Sequence, residues 1–209
     1  MITSEEEARA YVAQRCDGEA LARLERLVEL LRVENERQNL VSAASLDSVW
    51  QRHIADSIQL LDRVPRGTAP WLDLGTGAGF PGLAIAIARS STETILVESR
   101  KRRVEWLQAV IDELALSKCR VEGRRLEAVD PFPVAVISAR AFAPLDKLVR
   151  LAQRFSTSDT VWLLPKGRSA AQEVANLPKR LRSMFHVEQS ATDADSGIIV
   201  GRISEDRLP

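Results

Sequence analysis

Cysteine is scarce in this chain. Cys16 and Cys119 lie more than 100 residues apart and neither sits in a CxxC pair, which excludes a disulfide framework and a thiolate metal site and leaves two reduced, buried thiols. Long apolar runs are also missing: no stretch reaches the roughly 18 to 20 residues that a membrane span needs. Where an export signal would carry positive charge the chain has Glu5, Glu6 and Glu7, so a cytoplasmic protein with no membrane partner is expected. An excess of charge of one sign is absent too, since 29 Lys+Arg meet 29 Asp+Glu for a formal net charge of +0. That balance excludes a grip on nucleic acid by bulk charge. What is present is 209 residues with 45% apolar content, enough for a domain of ordinary size with a helical extension.

The zero net charge hides an uneven distribution. Residues 1–60 hold 7 basic and 11 acidic side chains, whereas residues 100–182 hold 17 basic and 9 acidic. The second segment either presents a local positive field to a phosphate-bearing partner or supplies solubility from exposed helix faces. Arg100, Lys101, Arg102 and Arg103 open a helix, where positive charge opposes the macrodipole by a few tenths of a kcal/mol each. Phosphate contact would explain that choice, and so would a solvated face.

Periodicity divides the chain. Ser4 with Glu7 three positions on marks a helix over 4–16; Leu21, Leu24, Leu27, Val28 and Leu31 carry a second over 18–38. A third, over 46–61, places Val49, Trp50, Ile54, Ile58 and Leu61 on one face before Pro65, Gly67 and Pro70 end it. Residues 1–65 therefore read as an N-terminal helical extension, and 66–209 as a second unit. Short apolar runs at 71–74, 95–97, 119–121, 134–137 and 161–164 alternate with helices near 81–89, 100–115, 144–154 and 168–182. That alternation predicts an α/β, Rossmann-like fold with a mostly parallel sheet. Two extended segments, 184–190 and 197–203, have no helix between them and predict a closing antiparallel hairpin, for seven strands in all.

The densest signal runs from Trp71 through Leu74 into Gly75-Thr76-Gly77-Ala78-Gly79-Phe80-Pro81-Gly82. A buried strand that enters a glycine cluster and then a helix lets backbone approach a nucleotide-like ligand. Glu98 follows the next apolar strand about 20 residues on, the place of a ribose-binding acid. Gly77, Gly79 and Gly82 satisfy GxGxxG, so a dinucleotide remains one reading. Asp73 beside the glycines is awkward for a pyrophosphate and suits a cation. That favours S-adenosylmethionine, which is cationic and lacks phosphate.

Six segments in order resemble the bacterial 16S ribosomal RNA (guanine-N7)-methyltransferase family, the glucose-inhibited-division B proteins. They are Arg52-His53-Ile54-Ala55-Asp56-Ser57, the glycine loop, Glu98 to Arg102, Arg125-Leu126-Glu127, Ser138 to Ala143 and Leu164-Pro165-Lys166-Gly167. The resemblance implies an S-adenosylmethionine-dependent methyltransferase fold acting on 16S ribosomal RNA or the small ribosomal subunit, as a monomer. It implies cofactor binding by Gly75, Phe80, Leu126, Glu127 and Arg140, to which the glycine-loop reading adds Gly77, Gly79 and Glu98; the catalytic candidates are Arg140, Lys166, Arg125 and His53, and no metal is expected. The chain departs from the family before the last strand, where a basic residue is usual and Asp195-Ser196-Gly197 stands here.

The chemistry agrees with what the sequence omits. Guanine N7 has an in-plane lone pair and no proton, so it attacks a sulfonium methyl without a general base. The Asn-Pro-Pro-aromatic segment of exocyclic-amine enzymes and the Pro-Cys of carbon-5 enzymes are both missing. Arg140 and Lys166, at successive strand ends, could orient the base through O6. His53 and Asp56, three apart, either pair on a helix surface or line the site. Open alternatives are methylation of another RNA, or a NAD or nucleotide-binding module without methyl transfer.

Overall fold

A computed structural model describes residues 1–204; the end of the unit expected over 66–209 lies outside the described residues. Seven strands form one sheet: β1 (Trp71–Leu74), β2 (Thr94–Val97), β3 (Cys119–Glu122), β4 (Val136–Ala139), β5 (Val161–Lys166), β6 (Phe185–Gln189) and β7 (Gly197–Gly201). Their order is β3-β2-β1-β4-β5-β7-β6. Strands β1 to β5 are parallel, and β7 runs antiparallel to both β5 and β6. The order reverses between β1 and β4, so the crevice for a ligand opens at the carboxyl ends of those two strands.

The N-terminal helices follow from their caps. Ser4 accepts from Glu7 N at 3.1 Å to start α1 (Glu5–Ala13), while Glu7 reaches back to Thr3 N at 2.6 Å. Asp17 accepts from Ala20 N at 2.8 Å to start α2 (Gly18–Asn35). The helix expected over 46–61 is instead composite. After α3 (Ala43–Asp47) comes a π-helical turn, Trp50–Ala55, then α4 (Asp56–Ile58) and a 3-10 turn, Gln59–Arg63. Wider winding rotates the side chains of Arg52, His53 and Asp56 relative to a regular helix, and such turns recur at functional sites. Buried Leu24, Leu27, Leu31, Trp50 and Ile54 join one apolar cluster with α5 (Gly82–Ala88) and α6 (Lys101–Glu113). Burial of this stripe anchors the extension to one face of the sheet.

Two further expectations shift. The fourth strand occupies 136–139 rather than 134–137, and its Ser138 is fully buried. A hydroxyl inside the strand is tolerated because it donates to Asp73 Oδ1 at 2.7 Å and accepts from Trp71 Nε1 at 2.8 Å. The helix expected over 168–182 is split into α8 (Ala170–Ala175) and α9 (Lys179–Arg182) by Pro178, which cannot continue the hydrogen-bond ladder. On the other face, α7 (Leu145–Ala152) buries Leu145, Leu148 and Val149 against β4 and β5.

Candidate active site

Two clefts flank the switch point. The smaller, about 360 Å³, is lined by Gly75, Glu98, Arg103, Arg125, Leu126 and Glu127 among others. The larger, about 950 Å³, is lined by residues that include Arg52, His53, Asp56, Arg140, Lys166 and Glu173. Ala141, Phe142 and Ala143 line both, so this segment after β4 is the wall between them.

Backbone builds the smaller cleft. Gly75 has φ +62, and a Cβ there would overlap the Phe142 ring, so only glycine lets the wall close over the loop. Glu98 is 6% exposed at the end of β2. Its Oε1 accepts from Ser99 N at 2.7 Å and Arg100 N at 2.9 Å, and its Oε2 accepts from Gly77 N at 3.1 Å. A carboxylate offers about four acceptor positions, so capacity for a ribose hydroxyl remains after three backbone bonds. Leu126 is buried, and Arg125 and Glu127 are exposed at the mouth.

Asp73 does not face a ligand. It is fully buried, accepting from Ser138 Oγ at 2.7 Å and from Gly82 N at 3.0 Å. A Cβ at Gly82 would fall 2.8 Å from Asp73 Oδ2, so the glycine permits this contact. Burial pushes the Asp73 carboxyl up to about 6, against the hydrogen bonds that favour its charge. The carboxylate that suggested a cation is a brace for the glycine loop. The carboxylates that line the smaller cleft are Glu98 and Glu127.

Side chains from distant segments build the larger cleft. Arg140, just after β4, donates through Nη1 to the Arg52 carbonyl at 3.1 Å and through Nη2 to His53 Nδ1 at 2.9 Å, with Asp56 Oδ2 at 3.5 Å. Guanidinium only donates, so Nδ1 accepts and the imidazole proton of neutral His53 sits on Nε2. Burial first, then the charges of Arg140 and Arg52, lower the His53 pKa to about 3. The imidazole also stacks on Phe80, with centroids 4.9 Å apart, and Arg140 lies 5.5 Å over the same ring. Phe80 is 2% exposed, and its ring is a floor under His53 and Arg140.

The structure thus brings together His53, Arg140 and Lys166, and sets Arg125 in the other cleft with Gly75, Glu98, Leu126 and Glu127. Gly77 and Gly79 shape the loop behind. Lys166 is tied down: its Nζ donates to the Ala143 carbonyl at 3.0 Å and pairs with Glu173 Oε2 at 2.9 Å. Asp56 turns to Arg140 instead of forming a surface pair with His53. Phe142 was legible only as part of the Ser138–Ala143 segment, and Glu173 carried no sequence signal.

Comparison with known proteins agrees with this architecture. The family model described as rRNA small subunit methyltransferase G matches residues 20–197. A protein of Erythrobacter litoralis named Ribosomal RNA small subunit methyltransferase G is 58% identical over 97% of this chain and 98% of its own length. One of the same name from Novosphingobium aromaticivorans is 52% identical over 100% of this chain and 92% of its own. Among solved structures, a mutant of MtNAS in complex with S-adenosylmethionine superimposes with a TM-score of 0.56 at 15% identity, over 95% of this chain and 77% of that one. A Corynebacterium glutamicum protein gives 0.58 at 16% identity, over 86% and 90%. The structural likenesses establish the shared fold, and the model match with the close relatives establishes that this chain belongs to the rRNA small subunit methyltransferase G family.

Proposed function

We propose that this protein transfers the methyl group of S-adenosylmethionine to N7 of a guanosine in small-subunit (16S) ribosomal RNA. Family membership and the relatives' names support the reaction class and the RNA. The smaller cleft fits the cofactor: a buried carboxylate with spare acceptor capacity stands at its floor, and apolar Leu126 at its edge. The bound cofactor would supply an electrophilic methyl on a sulfonium.

The observation that carries N7 is the state of the larger cleft. Each carboxylate that lines it is already engaged: Asp56 by Arg140, Gln59 and Thr192; Glu173 by Lys166, Ser169 and the Leu145 amide; Asp193 by Arg52. His53 is neutral, with its lone pair given to Arg140. No free base waits among these residues, and N7 needs none, because it carries no proton to remove. Catalysis is then positioning. Arg140, held from three sides, presents a fixed cation that can donate to O6 on the Hoogsteen edge and leave N7 open toward the wall. Arg125 and Glu127 stand at the cofactor cleft mouth. The enzyme acts as a monomer in the cytoplasm on this reading.

Labelled S-adenosylmethionine offered with naked 16S RNA, with small subunits and with large-subunit RNA tests it. Label should enter only small-subunit RNA, at a nucleotide where borohydride reduction and aniline cleave the chain, as they do at N7-methylguanosine. Transfer to an exocyclic amine, or cofactor binding with no transfer to any of these, overturns the proposal.

A further inference from the structure

An ion pair grips the downstream end of the wall between the clefts. Its first residue, Ala141, has φ +54, in the left-handed region that an alanine seldom adopts. Its second, Phe142, lies over Gly75. Nothing in the residue preferences of this segment favours that conformation, so other contacts must impose it. Two side chains hold the segment just downstream of Ala141: Lys166, at the end of β5, donates to the Ala143 carbonyl at 3.0 Å, and Glu173, in α8, accepts from the Leu145 amide at 3.0 Å. The two are themselves paired at 2.9 Å, with Lys166 only 9% exposed, and Ser169 Oγ adds a bond to Glu173 at 2.9 Å. A half-buried pair that also satisfies backbone groups is directional, and removal of either partner leaves the other less well compensated.

We infer that Lys166 and Glu173 form a latch that fixes the Ala141–Pro144 wall, so that Lys166 is a positioning residue for the cofactor cleft rather than a donor to the base. This rests on the methyltransferase reading, since the cleft behind the wall is assigned to S-adenosylmethionine. The latch grips the downstream end of the wall, and the strained alanine and the Phe142 ring form its upstream end. Loosening the grip lets the ring leave Gly75 and opens the small cleft toward the large one. The consequence is that two residues on the substrate side set the affinity for the cofactor.

The test compares Lys166→Met, Glu173→Gln, the double variant and Lys166→Arg in the full chain. Calorimetry measures S-adenosylmethionine affinity, and hydrogen exchange of the ligand-free protein follows residues 141–146. Each single variant should weaken cofactor binding about tenfold, the double variant no further, and Lys166→Arg should restore most of it. Exchange should quicken in 141–146 while β1 and β4 keep their protection, which general destabilisation would not produce. Unchanged exchange and cofactor affinity in Lys166→Met, with only the KM for RNA raised, would overturn the latch and make Lys166 a direct donor. Multiplied effects in the double variant would overturn it as well. If Lys166→Met fails to fold, Glu173→Gln read against Ser169→Ala decides: the former must quicken exchange at the Leu145 amide more than the latter. Parent protein that binds no S-adenosylmethionine would defeat the functional reading alone, because exchange still reads the latch.

Discussion

The two clefts are made in different ways. The smaller one is built largely from backbone amides of consecutive loops, with Glu98 gathering three of them. The larger one depends on contacts between residues more than 80 positions apart, because Arg140 takes its place from Arg52, His53 and Asp56 of the helical extension. The geometry of the smaller cleft is therefore local to the α/β unit, whereas that of the larger is assembled only when the π-helical turn docks. Apart from the wall that Lys166 and Glu173 hold, the difference predicts that damage to the Arg140 cluster should leave the smaller cleft standing, and the reverse.

Arg140→Met is the strongest attempt to break that independence. Loss of a preorganised cation should lower methyl transfer about 10²- to 10³-fold, or roughly 2.7–4 kcal/mol. S-adenosylmethionine affinity by calorimetry should stay within about threefold of the parent. A comparable collapse of cofactor binding would show that the clefts are one site.

Glu98→Ala is the converse. It should weaken S-adenosylmethionine by roughly 1.5–3 kcal/mol, as expected for a charged acceptor, and turnover at saturating cofactor should recover. Part of the loss comes from the amides of Gly77, Ser99 and Arg100, which lose their acceptor and leave the loop less ordered. Normal affinity in this variant would remove Glu98 from the cofactor cleft.

His53 sharpens the contrast through pH. Its folded pKa of about 3 lies below the ordinary 6.5. Between those values the unfolded chain binds a proton that the folded one does not, so stability falls as pH falls from 6.5 toward 3. At pH 5 this one group should cost about 2 kcal/mol relative to pH 8. His53→Gln should flatten that part of the urea-unfolding profile. Asp73, with its raised pKa, works with the opposite sign between 3.8 and about 6 and remains in both proteins. An acid slope that His53→Gln leaves unchanged would mean the imidazole is not held neutral.

The sequence made the first kind of structure legible and the second kind mostly illegible. Strand and helix alternation, the glycine turn and the acid at Glu98 are local patterns with a mechanical reading, and the parallel order with its closing hairpin follows from them. The position of β4 was missed because Ser138 looks like a strand end until Asp73 and Trp71 are known to satisfy it. Asp73 itself misled for the same reason: a carboxylate beside glycines reads as a ligand group, and its partners Ser138 and Gly82 lie 65 and 9 residues away. The π-helical turn has no periodicity of its own to betray it. Lys166 was visible as a strand-end cation, but its partner Glu173 sits in a helix that the pattern merged with the next.

The smallest effect concerns the rim of the larger cleft. Asp193 pairs with Arg52, which lines the cleft, at 2.9 Å, and Asp195 with Arg168, just outside that lining, at 2.6 Å, so the turn between β6 and β7 places acids against arginines. Both pairs are largely solvent-exposed, hence weak and screened by salt. An incoming phosphate must compete with Asp193 for Arg52, and the net charge of +0 gives no bulk attraction to help it. Asp193→Asn should therefore tighten binding of small-subunit RNA by about threefold at low salt, with the gain fading near 1 M, where the Debye length is about 3 Å. The steeper salt slope should correspond to about one added phosphate contact. Arg140 bonds to the carbonyl of Arg52, not to its side chain, so the rate at saturating RNA should not move. Tighter binding with an unchanged slope would assign the gain to something other than Arg52, and weaker binding would mean that the acidic turn itself touches the RNA.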